Sequence, residues 1–315
     1  MQVNSLLAAL APVLFVLLLG VLAGRHKSFD ADQVKGFSSV VLSYALPAAL
    51  FVGMYSVDRA TLLKQGPLLV VMLIGYSGLF VALYTIVKGL MRYSKVSATI
   101  FSLCMSSSAV PIYGLAVFKP LYGAQSDGVV GMVALVTNIA QISIAVLLLQ
   151  EPDPAGGAKI GVLLKSILKT MRSPLVWSPV FGAVLVLANW HLPAFIIDSL
   201  KLMGNASAGI AIFAGGLMLA AHKFVLSPAV CAGTVVKIVV QPAIFFGLLL
   251  LFHAHDAMAR ETFVASAMPL ATPCVLFAAQ HHEFEAEASA LTLLTTVAMV
   301  VVLPAGLWLS RYLGT

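Results

Sequence analysis

The chain is built from apolar runs of about twenty residues, each closed by a short polar turn, and this leaves few folds open to it. Runs of that length match helices crossing a hydrocarbon core of ~30 Å, whereas the ~10-residue alternating segments of a membrane β-barrel do not occur. Only 10% of the 315 residues are charged and 61% are hydrophobic, against about 25% charged in a soluble domain. The expected fold class is therefore an all-α polytopic membrane protein. Glycine, proline and charge punctuation place ten candidate spans at 3–24, 36–56, 66–90, 97–118, 128–149, 172–189, 195–221, 227–252, 260–280 and 286–310.

The basic residues serve as topology signals. The first run has no basic residue before it and carries Arg25 and Lys27 after it, so it is expected to persist as a helix rather than be cleaved as a signal peptide. With the N-terminus outside, the inner loops hold eleven Lys and Arg and the outer loops six; the eighteenth, Lys237, falls inside the eighth span. Both termini are then outside. The net charge of +6 is spread over short loops rather than gathered on one polar face, which argues against a nucleic-acid partner.

A long polar connection, Glu151-Pro-Asp-Pro-Ala-Gly-Gly-Ala-Lys159, divides the chain into residues 1–150 and 166–315, with a cytoplasmic linker at 151–165. Five spans on each side mean that homologous halves must be inverted relative to one another. Residues 10–24, "LAPVLFVLLLGVLAG", resemble residues 177–189, "WSPVFGAVLVLAN", and a shift of 162 sets Phe101 on Phe263 and Pro111 on Pro273.

Span four contains "SSSAVPIYG" (106–114), three hydroxyls with a proline and a glycine where an unbroken helix would be safest. A proline in a helix frees carbonyls that hydrocarbon cannot satisfy, so such backbone survives only in protein or beside a watery cavity. Breaks at Pro111 in span four and at Pro269 and Pro273 in span nine occupy matching places in the two halves, the pattern of a transporter binding site. Ser106, Ser107 and Ser108, with Thr272, flank the breaks, and Asn138 and Gln141 lie in span five; these donors and Lys237 are the candidate substrate-binding residues. All twelve acidic residues fall in loops or near span ends, so a cation site or proton relay built on buried carboxylates is not expected, and proton coupling would have to run through the substrate's own carboxylate or Lys237. No metal or cofactor is expected either: the histidines sit at span ends without a complete HExxH, and Cys104, Cys231 and Cys274 lack metal-ligand spacing and serve packing. With no GxSxG elbow or P-loop, an enzyme has no anchor in the sequence.

The stretch 267–304, "AMPLATPCVLFAAQHHEFEAEASALTLLTTVAMVVVLP", resembles the penultimate and last helices of the auxin efflux carrier family. "LPAALF" (46–51), "GLAVFKPLYG" (114–123) and "KIVVQP" (237–242) are similar too, in order along essentially the whole chain. The resemblance implies ten helices in two inverted five-helix repeats, with broken helices four and nine crossing near the midplane. It also implies a scaffold of helices one, two, six and seven through which a homodimer forms, and a place for Asn138 in the site. The serine-rich crossover is similar to the bacterial malonate carriers. The implied protein is a secondary transporter of small carboxylates in a bacterial cytoplasmic (inner) membrane, with malonate as substrate and uptake coupled to protons or sodium. A carrier of another organic anion, such as an indole carboxylate, is the alternative within this class. A receptor or channel subunit whose breaks line a sensor pocket or pore is the alternative outside it.

Overall fold

A computed structural model of the chain describes residues 3–123, 126–149, 172–221 and 225–313, and within these the side chains of 3–9, 31, 272, 273, 276 and 279 are not described. The expected linker at 151–165 lies outside the described residues. Among the described residues all regular structure is helical, and seven stretches are long and apolar enough to cross a membrane, with two shorter apolar helices at Leu10–Arg25 and Pro174–Leu187. In chain order the longer helices are α1 (Val3–Arg25), α2 (31–55), α3 (66–89), α4a (Lys95–Ser106), α4b (110–122), α5 (127–149), α6 (Pro174–Leu187), α7 (Ala194–Ala221), α8 (228–251), α9a (Ala257–Ser266), α9b (Thr272–His281) and α10 (285–313), with a short helix at Arg59–Lys64 between α2 and α3.

Caps fix where several helices begin. Asp30 accepts the Gln33 N–H at 2.8 Å while the Gln33 side chain accepts the Asp30 N–H at 2.9 Å, a reciprocal box that starts α2 at Ala31 rather than at the expected residue 36. Asp256 accepts the Ala259 N–H at 2.7 Å and likewise starts α9a ahead of the expected residue 260. Ser94 and Ser227 cap α4a and α8 in the same way.

Wide π-helical turns interrupt α2 at Val41–Ala45, α3 at Leu73–Gly78, α5 at Val136–Gln141 and α8 at Val236–Val240. In α2 and α8 a proline follows at once, Pro47 and Pro242, and a residue without an N–H cannot continue the ordinary i to i−4 ladder. Such turns gather at functional sites in helical proteins.

In the packing, α1 lies along α7 and α6 along α2, with α2 and α7 in contact. Gly216 allows the first of these approaches, since a Cβ there would stand 2.4 Å from the Leu17 carbonyl oxygen. Beside these helices, α3 packs on α4a and α5, and α8 packs on α9a and α10. Leu192 N–H donates to the Tyr55 hydroxyl at 2.9 Å and Gln65 Nε2 to Asp256 Oδ2 at 3.2 Å, tying the loops of one end together; Ser97 Oγ donates to Glu283 Oε2 at 2.7 Å at the other. At the Tyr55 end α2 seals against α5. There Met54 covers Gly131 and Val57 covers Gly128, at 2.6 and 2.3 Å from where a Cβ would be.

Candidate functional site

The fourth helix is interrupted at residues 107–109 and the ninth at 267–271. Pro111 and Pro273 stand at the starts of the second halves rather than inside a helix, where first-turn N–H groups have no intrahelical partner and a missing one costs little. Pro269 lies in the gap itself. The gaps touch, because the Ala109 N–H donates to the Pro269 carbonyl at 2.8 Å.

Ending α4a and α9a at the crossing frees their last carbonyls, and donors from elsewhere meet them. Ser108 Oγ donates to the Ala265 carbonyl at 3.0 Å and Gln241 Nε2 to the Ser106 carbonyl at 2.8 Å. Lys237 Nζ donates to Gln241 Oε1 at 2.6 Å and, more weakly, to the Ser266 carbonyl at 3.4 Å. Lys237 and Gln241, one turn apart on α8, thus serve both half-helix C-termini, and an ammonium there matches their partial negative charge. Lys237 is 1% exposed and stands behind the crossing.

On the other face of the crossing is a small cavity. Ser107, Ser108, Thr137, Asn138, Gln141 and Cys274 give it a polar side; Leu42 and Leu46 of α2, Ile112, Ile142 and Leu175 give it an apolar one. Ala109, Pro111 and Ala271 bring to it the starts of α4b and α9b, neither of which has a side-chain cap. Pro111 and Pro273 have no N–H, and those of Ile112 and Cys274 turn to the Ala109 and Ala271 carbonyls at 3.0 Å, so what the two starts chiefly offer is partial positive charge, a setting that suits an anion.

Many hydrogens at this site are already committed. Ser106 donates to the Ser102 carbonyl and Thr137 to the Val133 carbonyl, each at 2.8 Å. Gln141 Nε2 donates to the Tyr76 carbonyl at 3.1 Å and to Ser106 Oγ at 2.9 Å, and its Oε1 is buried with no partner. Asn138 Nδ2 donates to the Ala134 carbonyl at 2.8 Å, which uses one of its two hydrogens. Ser107 Oγ lies 2.9 Å from Cys274 Sγ. An occupant of the cavity would therefore meet the Asn138 amide, the Ser107 hydroxyl and two helix starts, while Gln141 Oε1 stays buried.

Of the residues expected from sequence, Ser107, Ser108, Asn138, Gln141 and Pro111 share this cavity, while Ser106 and Lys237 support it from behind. Thr272 begins α9b, but its side chain and that of Pro273 lie outside what is described. Three participants were not foreseen. Gln241 is the partner one turn after Lys237, the Tyr76 carbonyl holds Gln141, and Cys274 reaches Ser107 instead of serving packing alone. Glu261 corrects a further expectation: it is an acid near a span end, yet it is only 3% exposed. The Asp256 cap starts α9a early and carries Glu261 inward against its neighbours.

Comparison with known proteins gives a consistent result. The sequence profile of a family described as "Membrane transport protein" matches residues 5–308. An uncharacterized transporter, YfdV, of Escherichia coli is 30% identical over 96% of this chain and 96% of its own length. Auxin efflux carrier component 8 of Arabidopsis thaliana is 19% identical over 90% of this chain and 91% of its own. The lysosomal cholesterol signaling protein of Mus musculus is 22% identical over 96% of this chain but only 37% of its own length.

Proposed function

From the premise that this chain belongs to the membrane transport protein family, the auxin efflux carrier family, we propose that it is a secondary transporter of small carboxylates, with malonate as substrate, working by alternating access. The observation that carries this reading is the cavity at the touching breaks, where two uncapped helix starts and the Asn138 and Ser107 side chains converge and, among the described residues, no charged side chain lines it. A carboxylate placed there is met by donors and positive dipole ends without a competing carboxylate.

The packing supports two inverted five-helix repeats, with ten crossings once the two short apolar helices and the broken ninth helix are counted. Exchanging each helix for its counterpart in the other half turns the α1–α7 pair into α6–α2, α3–α4a into α8–α9a, and α3–α5 into α8–α10; all of these pairs are present. In this reading α1, α2, α6 and α7 are the scaffold and the remaining helices move against it. The cavity reaches Leu175, in the first turn of α6, while the Met54–Gly131 contact seals the opposite end. This is one of the two states that alternating access requires. Uptake is driven by a proton or sodium gradient.

The apolar wall formed by Leu42, Leu46, Ile112 and Ile142 favours a second reading, a monocarboxylate with an apolar body such as an indole carboxylate. Uptake into proteoliposomes of a panel containing malonate, succinate, acetate and indole acetate, under imposed proton or sodium gradients, separates the two. Preference for malonate supports the first reading, and preference for indole acetate replaces it with the second.

A further inference from the structure

Glu261 lies five residues before Ser266, about 7.5 Å along the α9a axis from the crossing. Its Oε2 is buried and has no hydrogen-bond partner among the described residues. An ionised carboxylate stripped of water needs donors in exchange, whereas a carboxyl carrying a proton needs only one acceptor. Acidic neighbours stand close in the fold as well: Asp256 caps the same helix, and Asp127 opens α5, which packs on it.

The helix is enclosed by α8, α10 and the start of α5. From these come Asp127 of α5 and, in the last turn of α10, Arg311 and Tyr312, both exposed; the 241–251 segment of α8 carries no titratable side chain. Tyr122 at the end of α4b has a buried hydroxyl without a partner, as does Arg260 at Nε. Asp127 has one buried, unpartnered oxygen and feels the charge of Lys119. Asp127 and Lys119 also line a polar cleft, whose opposite wall is Ser56 at the end of α2 with Lys201 and Ser207 of α7. Asp127 thus borders the cleft at the start of α5, the helix that packs on α9a.

We propose that Glu261 binds the coupling proton of transport and exchanges it with solvent through Asp127 and this cleft. The inference rests on the transporter reading above and names its coupling ion. A proton needs a single free acceptor, which Glu261 Oε2 supplies. On uptake a proton passes from water in the cleft to Asp127 and on to Glu261 Oε2, and the cluster loses one negative charge. The far end of the same helix presents the Ala265 and Ser266 carbonyls to Ser108 and Lys237, so the charge state of Glu261 acts on the crossing through α9a. One wall of the cleft belongs to α2 and α7 and the other to α4b and α5. Movement of the second pair against the first opens and closes the path to Asp127.

The test uses the full chain in proteoliposomes with radiolabelled malonate and a lumenal pH dye. Wild type should accumulate malonate down an imposed proton gradient with matching proton entry. E261Q, fixed in a stand-in for the protonated form, should show neither while still exchanging malonate at equal pH; accumulation by E261Q at the wild-type level overturns the proposal. A substrate-free measurement stands beside it: dicyclohexylcarbodiimide, which attacks protonated carboxyls in apolar surroundings, should label Glu261 of wild type in a mass-spectrometric peptide map, less so as pH rises. No label on Glu261 at any pH overturns the proposal even if E261Q fails to fold. Absence of malonate exchange by wild type, with Glu261 labelled, defeats the malonate reading and leaves the proton site standing.

Discussion

The hydrogen of the Ser108 hydroxyl is directed to the Ala265 carbonyl, so this residue shapes the cavity more than it donates to an occupant. Ser108→Val should weaken malonate binding about two- to tenfold, the worth of one neutral hydrogen bond, through a loosened crossing. Asn138→Leu should cost more, because it removes an amide from the cavity lining and leaves the Ala134 carbonyl only the longer bond from the Thr137 hydroxyl, at 3.4 Å; equilibrium binding of labelled malonate measures both. Equal affinity in both variants would move the site elsewhere. Lys237→Met leaves Gln241 Oε1 and the Ser266 carbonyl without their donor, a loss of about 1–3 kcal/mol for each buried group left unsatisfied. The variant should insert and elute as wild type does but melt at lower temperature and transport little; wild-type uptake by it would show that the ammonium is dispensable. The sequence revealed that Lys237 is unusual, because a lone charge in an apolar run stands out. It could not reveal that Gln241 shares its work or that Glu261 is buried, since both depend on which helix lies opposite.

Among the helices, the breaks were legible because proline, glycine and serine cannot continue an apolar helix unnoticed, and the paired positions of Pro111 and Pro273 doubled that signal. The π turns were not, because wide and ordinary turns draw on the same residues and only the prolines after two of them left a trace. The early starts of α2 and α9a could have been read from Asp30-x-x-Gln33 and from Asp256, but hydropathy outweighed these polar caps. The α2–α5 seal gives a prediction of its own: with Met54→Cys and Gly131→Cys in a chain otherwise free of cysteine, an oxidant should join the two and stop transport until a reductant is added. Full transport by the joined protein would mean that this seal does not open during the cycle. Gly216→Val, placed against the Leu17 carbonyl, should lower the melting temperature in detergent by disrupting the α1–α7 contact.

Across the molecule, the helical class was plain from hydropathy, and the order of the helices followed from punctuation. Which helices pair was not readable, since lipid-facing and protein-facing sides are both apolar here, with Phe15, Leu18, Phe181 and Leu202 exposed. Tags on both ends should be reached by an impermeant label from outside the cell; a label that reaches either tag only after lysis would reverse the proposed orientation. The decisive measurement is counterflow. Proteoliposomes loaded with unlabelled malonate and diluted into trace labelled malonate, with no ion gradient, should take up label transiently above the level of unloaded vesicles, and this overshoot should vanish in Lys237→Met. Label entry no faster than into unloaded vesicles, for malonate and every other carboxylate tried, would contradict a carrier and leave a receptor or channel in its place.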